Sequence, residues 1–143
     1  MNAEHDPLHQ PSAPVVTEPV PDVQLQMLVR LIGQDAGAAL PITLVLGGGF
    51  LYGDLISHEA WRADWARSLR GIDGPGAQLL ERFPAQVDQA VVDKQGQGVP
   101  ERLPQWIHLR DATGVATTGG GVSMPLWRGR LADVSGWSLG RPE

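Results

Sequence analysis

The stretch LWRGRLADVSGWSLG, residues 126–140, decides how this chain folds. Its first half alternates in the two-residue rhythm of a strand, and the alternation defines two faces. One face carries Trp127, Gly129 and Leu131, and the other carries Leu126, Arg128 and Arg130. Residues 136–140 repeat the pattern. The stretch therefore predicts the closing hairpin of a small β structure.

Short strands separated by glycine-rich turns recur elsewhere in the chain. The predicted strands lie at about 40–47, 49–56, 103–111, 114–118, 124–134 and 136–140. The run Gly47-Gly48-Gly49 suits a tight hairpin that needs positive φ. Such spacing is typical of a small curled antiparallel sheet or an Sm/SH3-like partial barrel. We expect the strands to close around one core, which makes the fold class α+β once the helices are counted.

Three helices are predicted, at about 22–37, 57–71 and 75–92. Asp22 and Ser57 are suitable N-caps for the first two. Pro84 should break or kink the third. The last two helices lie between predicted strands, as an insertion.

Two of these helices have a predicted buried face. In the first helix the apolar stripe consists of Leu25, Leu28, Leu31 and Ile32. In the second, Trp61 and Trp65 recur four residues apart, so we expect both in the core.

Residues 1–21 read as a disordered, acidic, proline-rich tail, because proline removes backbone donors and few residues there can build a core. Residues 22–143 are then a single domain. The 143-residue chain has a net charge of −5, which disfavours nucleic acid and anionic membranes as partners. It has no cysteine and no visible signal peptide, which fits a cytoplasmic protein.

Catalytic patterns are missing from the sequence, so we expect no enzyme, no cofactor and no metal site. The segment LGGGFLYG leads into a strand and lacks the spacing of a nucleotide-binding loop. His58-Glu59 has no second histidine at metal-site spacing, and no serine lies in a nucleophile elbow. His108 is interpreted as a partly exposed surface histidine.

Tryptophan and arginine mark protein-binding surfaces more often than other residues do. The candidate interaction surface consists of Trp106, His108, Arg110, Trp127, Arg128, Arg130 and Trp137. The same residues leave an alternative open, an Sm-like barrel that stacks bases and holds the phosphates of RNA or single-stranded nucleic acid. Against that alternative stand the acidic total, the single lysine and the neighbouring acids Asp111, Asp133 and Glu143.

Three segments in register resemble the gas vesicle accessory protein GvpU family. They are ITLVLGGGFLYGDLIS (42–57), WIHLRDATGV (106–115) and LWRGRLADVSGWSLG (126–140). The leading helix is similar too, so the resemblance covers about residues 23–141. The tail at 1–21 does not belong to the pattern.

The resemblance implies a cytoplasmic, non-enzymatic accessory of gas vesicles that acts in their assembly or clustering. The expected partners are the vesicle shell, other gas vesicle accessory proteins or a second copy of this chain. No membrane is expected, and nucleic acid is disfavoured as a partner. On this basis we hypothesise that Arg128 and Arg130 meet carboxylates on the shell or on a second copy.

Overall fold

The structure is a computed structural model, and it describes residues 19–96 and 102–143. Three helices and five strands make up the described chain. In order they are α1 (Val23–Ile32), β1 (Leu40–Leu46), β2 (Gly49–Leu55), α2 (His58–Arg70), α3 (Ala77–Gly96), β3 (Trp106–Ala116), β4 (Gly121–Arg130) and β5 (Gly136–Leu139), with a 3₁₀ turn at Leu131–Asp133. Residues 1–18 of the predicted tail lie outside the described residues.

The strands form one antiparallel sheet in the order β4-β3-β2-β1-β5. The predicted α+β class and curled sheet are confirmed, and α2 and α3 are inserted between the neighbouring strands β2 and β3. The expected closure around one core is wrong. β5 has only four residues and pairs with β1, so β4 and β5 end up at opposite edges of an open sheet.

The β1–β2 hairpin is confirmed, but its glycines act differently from the prediction. Gly49 has a positive φ of 154°, whereas the turn residues Gly47 and Gly48 do not have positive φ. A Cβ at Gly49 would also collide with the carbonyl oxygen of Val115 on β3. Gly49 is therefore required by the close approach of β2 to β3.

A β-bulge in β3 replaces the break that the sequence predicted between 111 and 114. Asp111 adopts a φ of 52°, and the β2–β3 register shifts between Tyr52 and Asp54. The opposing residue is Gly53, where a Cβ would lie 3.0 Å from the Arg110 carbonyl oxygen. An extra residue in one strand bends it without ending it, so β3 runs as a single strand from 106 to 116.

The core lies on one face of the sheet, under α1. The fully buried members are supplied by α1, by β1 to β3 and by the turn after β4; they include Leu25, Ile42, Leu44, Leu51, Leu55, Ile107, Leu109, Ala112 and Leu131. Asp22 caps α1 as predicted, accepting hydrogen bonds from the backbone N–H groups of Gln24 and Leu25.

The buried stripe of α1 differs from the prediction at one position. Leu31 is 61% exposed, and Val29 packs against the core in its place, beside Leu28 and Ile32. Leu31, six positions after Leu25, lies 240° from it around the helix axis, whereas Val29, four positions after Leu25, lies only 40° away. The helix also ends at Ile32 and not near Gly37, because Gly33 closes its last turn.

Of the predicted break or kink at Pro84, the break does not occur, because the helix α3 passes through Pro84 and continues to Gly96. One proline removes a single helical hydrogen bond. Contacts on either side of that position hold α3 to α2: the Phe83 ring meets the Trp65 ring edge-on at 5.3 Å, and Asp88 pairs with Arg62. No helix in the described ranges combines the length and apolar character needed to cross a bilayer.

Candidate functional site

Strand alternation and register place most of the predicted surface residues on one face of the sheet. Trp106 lies opposite Arg130, His108 opposite Arg128, and Arg110 opposite Leu126. Residues that face each other across two strands project to the same side. We call this side of β3 and β4, which faces away from the core, the outer face, and α2 packs across part of it.

Trp127 does not belong to the outer face. It pairs with Leu109 and packs against the core. Its indole lies across Gly129, where any Cβ would collide with the ring. Trp127 therefore lies on the core face of the sheet, because alternation turns it inward wherever Arg128 points outward.

Trp137 lies far along the sheet, on the edge strand β5. Its ring packs against the core, and its Nε1–H donates to the Asp22 carboxylate at 3.1 Å. That hydrogen bond is the main reason why the pKa of Asp22 lies below its usual range. Trp137 thus ties β5 to the start of α1 and takes no part in the outer face.

His108 is buried, 4% exposed, which corrects the interpretation of a partly exposed surface histidine. Helix α2 covers it: the His58 ring stacks on it with centroids 4.6 Å apart, and Trp61 meets it at 5.3 Å. His108 lies on the face of β3 that points away from the core, and helix α2 covers that face at this position.

Burial, as the largest cause, together with the neighbouring His58 and Arg128, lowers the pKa of His108 to about 3. The pKa of His58 is also lowered, first by burial and then by Arg62 and Arg128, with Asp88 acting in the opposite direction. His108 is therefore neutral at physiological pH, and its Nε2 is an acceptor.

Arg128 is held between His108 and Trp106. Its Nε donates to His108 Nε2 at 3.2 Å, and its Cζ lies 4.0 Å above the centre of the Trp106 ring. Trp106 remains 39% exposed, so this pair lies at the surface. Partial burial lowers the pKa of Arg128. The cation is thus fixed in position by a neutral acceptor and by an aromatic face.

No carboxylate within residues 19–96 and 102–143 pairs with Arg128. The other two predicted arginines differ in this respect. Arg110 Nε donates to Asp64 of α2 at 2.7 Å, and Arg130 contacts Asp133 at 3.1 Å. On the outer face, two arginines have a carboxylate beside them, whereas Arg128 offers its remaining N–H donors to an incoming group.

The Arg110–Asp64 ion pair connects α2 to β3, so its removal is expected to lower the free energy of unfolding. Asp64→Asn removes the charge that faces Arg110, and we expect the free energy of unfolding to fall by about 1–2 kcal/mol. The matched control is Asp133→Asn, whose exposed partner Arg130 is only three residues away, with an expected loss below about 0.5 kcal/mol. Urea unfolding of both variants measures the difference, and equal losses would contradict the assigned role of Asp64.

Sequence reasoning missed the contribution of α2 to this site. Helix α2 contributes three side chains to the outer face: His58 and Trp61 cover the His108 ring, and Asp64 pairs with Arg110. The Trp61 and Trp65 rings stack beside them, with their centroids 5.9 Å apart. His58 and Trp61 are three residues apart on one helix face, a signal that the sequence does contain. Trp61 Nε1 is buried without a hydrogen-bond partner among the described residues.

The arrangement can bind an anion, since it offers a planar cation beside an exposed aromatic ring. In the described part of the chain, no three histidine, aspartate or glutamate side chains are grouped to hold a metal ion. A cleft of about 350 Å³ adjoins the site and is lined by Pro19, Pro21, Gln105, Trp106, Arg130 and Ala132.

Comparison with protein-family models gives a match. The family described as gas vesicle protein GvpU-like matches residues 22–142, which include every element of the fold. Searches of curated proteins and of solved structures find no match. The match spans most of the chain and agrees with the resemblance carried by the strand segments. The chain therefore belongs to the gas vesicle protein GvpU-like family.

Proposed function

We propose that this chain is a non-enzymatic accessory protein that associates with gas vesicles, during their assembly or clustering, through protein–protein contacts. Membership of the GvpU-like family supports a gas vesicle role. The proposal includes the cytoplasmic location that such a role requires. The contact surface we propose is the Trp106–Arg128 site, meaning those two side chains and the cleft beside them.

The observation that carries this proposal is the state of Arg128. The side chain is fixed by His108 and Trp106, so little conformational entropy remains to be lost when it binds. Its charge has no carboxylate partner in the described residues. Arginine and tryptophan together are the residues on which binding energy most often concentrates. The fitting partner is a carboxylate on a vesicle shell protein or on another accessory protein.

Nucleic acid fits this surface less well. A base-stacking site needs an open aromatic face and several free cations. Here Arg128 covers one face of Trp106, and Asp64 and Asp133 sit against the neighbouring arginines. Binding of RNA is therefore not proposed, and the flotation test below includes RNA as a competitor.

The test is flotation of the purified full chain with gas vesicles stripped of loosely bound protein. We expect the chain to rise with the vesicles at low speed and to stay with them when total RNA is added in excess. Bovine serum albumin in the same tube controls for trapping. A chain that stays in the lower layer, or that leaves the vesicles for RNA, would overturn the proposed function.

A further inference from the structure

The described chain begins beside the Trp106–Arg128 site. Pro19 and Pro21 line the same cleft as Trp106 and Arg130. Residue 18 is covalently attached to Pro19, so the segment 1–18 starts its path at the rim of this cleft. A segment of 18 residues can extend for roughly 60 Å, which is ample to cross the site.

The charge of segment 1–18 complements the site. It carries Glu4, Asp6 and Glu18 and contains no lysine or arginine. Arg128, at the site, has no carboxylate partner in the described residues. Covalent attachment gives these carboxylates an effective concentration of the order of millimolar at the cation, without any new affinity being needed.

We infer that segment 1–18 docks on the Trp106–Arg128 site of its own chain and competes there with the carboxylate of an incoming partner. The docking itself is independent of the proposed function, whereas the competition rests on it. A segment that covers the site for about nine-tenths of the time raises the apparent dissociation constant of the partner about tenfold. The partner then binds only when segment 1–18 has left the site.

The docking is tested in the full chain by a spin label. The natural chain has no cysteine, so Ser12→Cys gives a single attachment point. We expect the label to broaden the indole N–H resonance of Trp106 in NMR spectra. The broadening should fall at least threefold in the triple variant Glu4→Gln, Asp6→Asn and Glu18→Gln. It should persist in the matched variant Asp73→Asn, Glu81→Gln and Glu143→Gln, which makes the same change in net charge.

Equal broadening in all three proteins would show that segment 1–18 has no charge-dependent preference for the site, and would overturn the inference. The competition is tested by flotation of the same proteins without label. We expect the triple variant at positions 4, 6 and 18 to bind vesicles about tenfold more tightly than the natural chain. Unchanged vesicle affinity would overturn the competition. If the natural chain does not float at all, the proposed function fails, and the spin-label result stands separately.

Discussion

Replacing Arg128 by glutamate is expected to raise the dissociation constant for gas vesicles at least tenfold while the chain stays folded. The substitution removes the cation that meets the partner carboxylate and puts a like charge in its place. Removing one member of a buried charge pair costs about 2–5 kcal/mol of binding, and about 1.4 kcal/mol corresponds to tenfold. The measurement is the fraction of chain that floats, over a series of vesicle concentrations.

Two control variants separate this effect from net charge and from folding. Arg82→Glu makes the same charge change on the exposed side of α3, and we expect unchanged flotation. Arg128→Lys keeps the charge but loses the planar fork that stacks on Trp106, so we expect intermediate binding. Circular dichroism of each variant checks the fold. Equal loss of binding in the Arg82 and Arg128 variants would assign the effect to net charge and contradict the site.

The second large effect is a loss of stability in acid that depends on His108. The folded chain holds this imidazole neutral with a pKa of about 3, whereas an exposed histidine has a value near 6.5. Above pH 6.5 the group is neutral in both states and adds no pH dependence. Between pH 6.5 and 3 the unfolded chain binds a proton that the folded chain does not. Stability therefore falls as the pH falls, by up to about 1.4 kcal/mol per unit.

His108→Gln isolates this contribution. The glutamine amide does not titrate, and its oxygen can still accept the hydrogen bond from Arg128. We expect the natural chain to lose about 2–3 kcal/mol more than the variant between pH 7 and pH 4.5, measured by urea unfolding. Carboxylate titration is common to both proteins and cancels in the difference. Parallel stability curves would show that His108 is not held neutral by burial.

The charged and titratable groups around His108 also affect the loss of stability in acid. His58, stacked on His108, has a lowered pKa and adds a loss in the same direction, while Asp88 opposes it. His58→Gln should therefore remove a smaller share of the acid sensitivity than His108→Gln. Arg128 stays charged over the whole range and contributes a constant repulsion to the imidazolium.

Local signals in the sequence were enough to predict the β1–β2 hairpin and the capped helix starts. The predicted hairpin at 126–140 is wrong, because its two strands lie at opposite edges of the sheet. The strands β1 and β2 lie within one residue of their predicted ends, because the glycine run and the apolar alternation are both local. The bulge at Asp111 could not be predicted in this way. Its positive φ accompanies the close approach of Gly53, which is 58 residues away in the sequence and adjacent only in the sheet.

In the candidate site, too, some features follow from local sequence signals and others only from tertiary contacts. Alternation within the 126–131 stretch put Arg128 and Arg130 on one face, but the register that brings Arg128 beside His108 and Trp106 is visible only in the sheet. Alternation could not reveal that α2 buries His108, because helix packing is a tertiary event. The Arg130–Asp133 contact follows from their spacing of three residues, whereas the Arg110–Asp64 pair joins residues 46 apart. The distinction between these arginines and Arg128 therefore required the fold.

Photo-crosslinking from the rim of the cleft tests the central claim most directly. A benzophenone amino acid replaces Gln105, which lines the cleft with Trp106, or Leu79, which is 75% exposed on α3. Each full chain is bound to gas vesicles and irradiated, and the attached peptide is identified by mass spectrometry. We predict that position 105 attaches to an acidic segment of a gas vesicle protein and that position 79 does not. Attachment from position 79 without attachment from position 105 would contradict the assignment of the Trp106–Arg128 site as the contact surface.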